Sequence, residues 1–198
     1  MGTCAAYRVP EELIGGLMSD LYTPEYVPSG AEKAIFHTNK GDITVQLAGK
    51  DAPVHVGNFI ELAEKGFYEG LKFHRYEPGF VIQGGCPNSR EYSSEELARG
   101  AQDYSRGIPG TGGPGYSIKG EWLSNPHNEH KDGTLAMARS QMPDSAGSQF
   151  YFCLGAQSFL DSNYTVFGAP FDEESLKIIH TLAKGDIIKS IEITDKEA

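Results

Sequence analysis

The sequence predicts a mainly β domain, a barrel or sandwich whose openings are covered by helices. Three observations carry this. Short apolar or alternating runs recur along the chain, with Gly, Pro and Asn turn signals between them. Two stretches show a strong helical pattern. No strand–helix–strand alternation supports a parallel sheet.

Residues 1–33 read as an extension. Leu13, Ile14, Leu17, Met18 and Leu21 form a short helical stripe behind Pro10, and YTPEYVPSG at 22–30 reads as a linker. The domain proper runs over 34–198. AIFHTNKGDITVQLA gives two strands about an Asn-Lys-Gly turn, with Ile43, Val45 and Leu47 alternating inward. DAPVHVGNFIELAEKGFY gives a helix, with Asp51 as its cap, Pro53 in its first turn and Gly66 as its stop. Its buried face carries Val56, Phe59, Ile60 and Ala63. Two strands follow, near 71–76 and 80–84, around Pro78-Gly79. Residues 87–109 read as a surface insertion beside any groove, in which Ser93-x-x-Glu96 opens a turn or two of helix. Strands resume at GTLAMAR, QFYFCLG and TVFGAP. DEESLKIIHTLAKG gives the second helix: Asp172 caps, Leu176, Ile179 and Ala183 face inward, and Gly185 stops it. The last strand, DIIKSIEIT, alternates through Ile187, Ile191 and Ile193.

A chain of 198 residues is long enough for a sizeable core. Its net charge of −10 argues against nucleic acid or an anionic membrane as the main partner. Cys4, Cys86 and Cys153 are too sparse for a disulfide framework and fit a reducing compartment, so a cytoplasmic location is expected. No apolar run approaches a membrane span, and the N-terminus lacks a signal peptide's pattern.

The usual chemical motifs fail. GTGGPG at 110–115 lacks the Gly-Lys-Ser/Thr ending of a phosphate loop and reads as a loop of tight turns. His127 and His130, in HNEH, have no third ligand cluster nearby and read as a solvated loop, so no metal is expected. There is no Gly-x-Ser-x-Gly elbow, and no cofactor is implied. What remains is Arg75, set among apolar residues in FHRYEPGFVIQGG at 73–85, with Gln83 and Gln149 on strand-like segments. Holding an arginine against an apolar surface is costly unless its hydrogen bonds are used. Two readings stand side by side. Arg75 faces a groove shared with Gln83 and Gln149, or it pairs with Glu77 or Glu61 on the surface.

NFIELAEKGFYEGLKFHRYEPGFVIQGG, GTGGPGYSIKGE, GTLAMARSQMPDSAGSQFYF and FLDSNYTVFG, in order from about Ala34 to Ile193, resemble the cyclophilins, a class of peptidyl-prolyl cis-trans isomerase. The GGPGY and MARSQMPDSAGSQF forms are closer to bacterial members. The resemblance implies a closed eight-stranded antiparallel β-barrel capped by two α-helices. It implies proline-containing peptides and unfolded chains as partners; a monomer is expected. Residue by residue, Arg75 matches the catalytic arginine, and Gln83 and Gln149 match polar groove residues. Phe80, Val81, Tyr151 and Leu160 match the pocket for the proline ring. Ala138 and Arg139 match the segment whose backbone pairs with substrate, and Phe159 and Tyr164 match the far rim. Val81 stands where Met is usual, Tyr151 where Phe is usual, and Phe159 where cyclosporin-sensitive members carry Trp. Weak cyclosporin binding is therefore expected.

Overall fold

The computed structural model describes residues 21–195. The helical stripe expected at the N-terminus lies outside these residues except for Leu21. Eight strands form one antiparallel sheet: β1 Lys33–Thr38, β2 Asp42–Leu47, β3 Arg75–Glu77, β4 Val81–Gly84, β5 Leu135–Met137, β6 Phe150–Cys153, β7 Val166–Pro170 and β8 Ile188–Thr194. Among the described residues there are three α-helices: α1 Pro53–Glu64, α2 Ser94–Ala98 and α3 Glu173–Thr181.

The strand order is β3-β4-β6-β5-β7-β2-β1-β8, so β3 and β8 are edges. The sheet is an open half-barrel, not the closed barrel expected from the resemblance. β3 is only three residues long. The chain ahead of it meets residues 185–188 through separate backbone bonds, such as Phe73 N–H to the Asp186 carbonyl at 3.0 Å and Ile188 N–H to that of Leu71 at 2.8 Å. A single bridge, Lys72 to Ile187, takes the place of a ladder.

Alternation along the strands gives the sheet two apolar faces. The main core holds Phe36, Ile43, Leu135, Phe150, Phe152 and Phe167, and α1 covers it with Val56, Phe59 and Ile60. Phe36 is its hub, with ring centroids 5.3–5.7 Å from those of Phe59, Phe150 and Phe152. The opposite face of the central strands carries a smaller cluster of Val81, Ala136, Tyr151, Cys153 and Val166, joined by Leu160.

Several ends differ from expectation. Asp51 does not cap α1. The N-cap is Ala52, which has no side-chain acceptor. The orphan N–H groups of Val54 and His55 donate instead to the carboxylate of remote Glu121, at 3.0 and 2.9 Å. α2 has the full Ser93/Glu96 capping box, and Asp172 caps α3 through Ser175 N–H at 2.7 Å. α3 ends at Thr181, because Leu182 turns to extended backbone and Ala183 N–H goes to Asp186 at 2.7 Å. Leu182, not Ala183, is buried. On β8, His37 pairs with Ser190 but Thr38 with Ile188. Skipping Lys189 flips the parity, so Ile188 enters the core where Ile187 was expected.

The 22–30 stretch is fastened to α1. Glu61 accepts from the Tyr22 hydroxyl at 2.5 Å and from Tyr26 N–H at 2.9 Å. Gly57 permits the approach, since a Cβ there would lie 2.6 Å from the Tyr26 carbonyl oxygen. The 87–109 segment likewise has an anchor of its own. Tyr92 and Leu97 are buried, and the Arg106 guanidinium lies 4.2 Å from the Tyr92 ring and 2.9 Å from Glu96. The segment bonds to both sides of the open seam: Ser89 Oγ accepts from Lys72 N–H at 3.0 Å, and Ser94 Oγ donates to the Gly185 carbonyl at 2.7 Å.

Candidate active site

The register sets the site in a row. Arg75 lies opposite Gln83, Gln83 opposite Tyr151, Tyr151 opposite Ala136, and Ala136 opposite Val166. Directly opposed residues share a face. Five strands therefore bring a guanidinium, an amide, a phenol and two small apolar groups together on the outer face.

Arg75 meets both readings in part. Its Nη1 donates to Gln83 Oε1 at 3.4 Å, and its Nε is 3.5 Å from Glu77 Oε1. Glu61 is occupied by the 22–30 stretch instead. The Glu77 pair is half exposed on both sides, so it holds Arg75 only weakly. The amides behind Arg75 have a fixed direction. Gln149 Nε2 donates to the carbonyls of Gly110 and Gly112, both at 2.8 Å. Its Oε1 is thus left to accept from Gln83 Nε2 at 2.9 Å, which turns Gln83 Oε1 toward the guanidinium.

Next to this polar line is the apolar pocket. Val81, Tyr151 and Leu160 are buried in it, and Phe80, Ala138 and Tyr164 pack against them. The Arg75 guanidinium lies 5.7 Å from the Phe80 ring centroid. Phe159 is 66% exposed and stacks on Phe80 with centroids 5.7 Å apart. On the far rim the Arg139 guanidinium lies 4.8 Å from the Tyr164 ring, and its Nε donates to the Asn163 carbonyl at 2.8 Å. The Ala138 N–H is already given to the Gln149 carbonyl at 2.8 Å. A cleft of about 670 Å³ adjoins the pocket, lined in part by Gln83, Gln149, Tyr116 and Arg139.

Reading HNEH as a solvated loop holds for His127, which is exposed and pairs with Asp51 at 2.9 Å. It fails for His130, which is buried beneath the pocket. His130 Nε2 lies 3.0 Å from the Tyr151 hydroxyl, and its Nδ1 lies 2.8 Å from Asp161. Burial lowers the His130 pKa, and Asp161 opposes that. The same segment pins the rim: Asn128 Nδ2 donates to the Tyr164 carbonyl at 2.9 Å. The one available signal for His130 was Tyr151, since a hydroxyl in place of the usual phenyl needs a partner when buried. His74, next to Arg75, is buried with neither ring nitrogen hydrogen-bonded. Burial lowers its pKa to about 4. Burial also pushes the Cys153 thiol up to about 12, consistent with a packing role. Among the described residues no cluster of His, Cys, Asp and Glu could hold a metal ion, and no helix is long and apolar enough to cross a membrane.

Comparison with known proteins shows the family. The family described as cyclophilin type peptidyl-prolyl cis-trans isomerase/CLD matches residues 33–196. A peptidyl-prolyl cis-trans isomerase of Synechococcus elongatus is 42% identical over 166 residues, covering 84% of this chain and 99% of the relative. One from Helicobacter pylori is 44% identical over 158 residues, covering 80% and 84%. A Cryptosporidium parvum cyclophilin type isomerase, solved in the presence of the dipeptide Ala-Pro, superposes with a TM-score of 0.67 at 28% identity, covering 83% of this chain and 99% of that one. The row from Arg75 to Val166 thus lies within the span matched by the family, and the chain belongs to the cyclophilin-type peptidyl-prolyl cis-trans isomerases.

Proposed function

We propose that the groove accelerates rotation about X-Pro bonds in peptides and unfolded chains, with Arg75 stabilising the twisted amide. The barrier to rotation is about 18–20 kcal/mol because the planar amide is resonance-stabilised. Twisting removes the resonance and returns a lone pair to the prolyl nitrogen. A donor aimed at that lone pair is favoured in the transition state over the ground state. Arg75 is that donor, with several N–H groups to share between Gln83 and the substrate.

The observation that carries this reading is the juxtaposition of the Arg75 guanidinium with the Phe80 ring at 5.7 Å and with Gln83 Oε1 at 3.4 Å. A proline ring seated on Phe80, Val81, Tyr151 and Leu160 brings its nitrogen to the guanidinium. Gln83 keeps the guanidinium turned to the pocket. The Ala138 N–H is engaged, so the segment pairs with the peptide through the Ala138 carbonyl and the Arg139 backbone. Gln149 orders the amide line, and Phe159 and Tyr164 close the rim. No cofactor takes part. We place the protein in the cytoplasm, as a monomer, from its unpaired buried Cys86 and Cys153 and its acidic charge.

The rival reading is a proline-peptide binding module or chaperone with little turnover. NMR exchange spectroscopy on an Ala-Pro peptide separates the two. Enzyme in catalytic amount should broaden and merge the cis and trans resonances. Saturable binding without faster exchange would leave only the module.

A further inference from the structure

We propose that Cys86 is a positioning residue for Arg75, acting through the Gly110–Gly112 turn and the two glutamines. Its side chain is fully buried at the head of the 3-10 turn Pro87–Glu91, where the insertion begins. Cys86 Sγ accepts from Gly110 N–H at 3.1 Å and from Gly112 N–H at 3.3 Å. The carbonyls of these two glycines are the acceptors that orient the Gln149 amide. Thiol and amide therefore grip the same two residues. From there the line runs through Gln83 to the guanidinium.

The turn's other hydrogen bonds hold Thr111 and not the two glycines: its N–H and hydroxyl donate to the Ile108 carbonyl at 3.1 and 2.8 Å, and its Oγ1 accepts from Asn88 Nδ2 at 3.3 Å. Gly110 has φ +95°, and a Cβ there would lie 3.4 Å from the His74 ring, whose nitrogens bond to nothing. Asn88 Nδ2 holds the preceding stretch through the Ile108 carbonyl at 3.0 Å. Without an acceptor at position 86, the two partly buried N–H groups lose the partner that fixes their direction, and the peptide units can rotate. The Gln149 amide is then free to turn over, which sets its NH2 against that of Gln83 and releases Gln83 Oε1 from Arg75.

This rests on Arg75 being the transition-state donor. Cys86→Ala should then lower kcat by about fivefold and leave KM within about twofold, since the pocket that binds the ring is untouched. Cys86→Ser keeps an acceptor on a shorter bond and should lose less. The deciding measurement is a double-mutant cycle with Gln149→Ala. In that background neither Cys86 variant should slow the enzyme further. Additive losses, or a loss carried by KM, would overturn the proposal. If Cys86→Ala does not fold, the Cys86→Ser cycle decides alone by the same criterion. Failure of the Arg75 reading looks different: Arg75→Ala would then keep its rate, whereas failure of the relay alone leaves Arg75→Ala slow and Cys86→Ala fast.

Discussion

The phenolic oxygen of Tyr151 lies 3.0 Å from Nε2 of His130, whose Nδ1 lies 2.8 Å from Asp161. An ionised carboxylate only accepts, so the ring proton sits on Nδ1 and Nε2 accepts from the tyrosine. Tyr151→Phe should therefore leave a buried Nε2 unpartnered and cost about 1–3 kcal/mol of stability. The ring still fills the pocket, so turnover should change less than a few-fold. Urea denaturation beside an exchange assay checks both. Unchanged stability would mean the network holds nothing.

Arg75→Ala should lower kcat by about a hundredfold or more, the scale for losing a transition-state donor. The fold and most of the peptide affinity should survive, since the side chain is half exposed and the ring pocket is separate. Kinetics and a binding titration on one preparation separate these effects. A near-native rate would rule out the proposed role.

Stability should fall on acidification. The His74 pKa is about 4 in the fold because of burial, against an ordinary 6.5. Below 6.5 the unfolded chain takes up a proton that the fold refuses. The contribution is complete above 6.5 and is lost as pH falls toward 4, on the order of 3 kcal/mol. His130 acts in the same direction. His37 acts oppositely, because the hydrogen bond to Asp42 raises its pKa, so its contribution is present at low pH and fades as pH rises. Denaturation midpoints at pH 7 and 4.5 should fall with pH, and less steeply in His74→Phe. Equal slopes in both proteins would exclude His74.

Cyclosporin should bind weakly. Phe159 offers the rim an apolar ring but no N–H. Missing one buried hydrogen bond costs about 1–3 kcal/mol, or roughly ten- to a hundredfold in affinity. Phe159→Trp should recover it without altering turnover. The test is inhibition titration of both proteins, and equal affinities would defeat the idea.

Much of the architecture was legible wherever a pattern is local. Alternation placed Ile43, Val45 and Leu47 inward, and the Ser93/Glu96 box and the Asp172 cap form as read. What escaped depends on distant partners. Glu121 caps a helix start 66 residues before it, and a one-residue bulge opposite His37 and Thr38 puts Ile188 inward at the start of β8 in place of Ile187, while Ile191 and Ile193 pack inward as read. His130 looked like a loop residue because its burial rests on Tyr151 and Asp161, 21 and 31 positions away. At the site, residue type alone left Arg75 between groove and surface. The family motifs singled out the groove, and the geometry shows the guanidinium touching both.

The open seam carries one more consequence. An exposed strand edge is a template on which another chain can pair. Here β3 is three residues long and bears Arg75 and Glu77, while β8 points Lys189 and Glu192 outward. The 87–109 segment ties down the approach between them through Ser89 and Ser94. Short length, charge and a covering segment together guard both ends of the sheet, so an open seam beside Arg75 offers a neighbouring chain little edge to pair with.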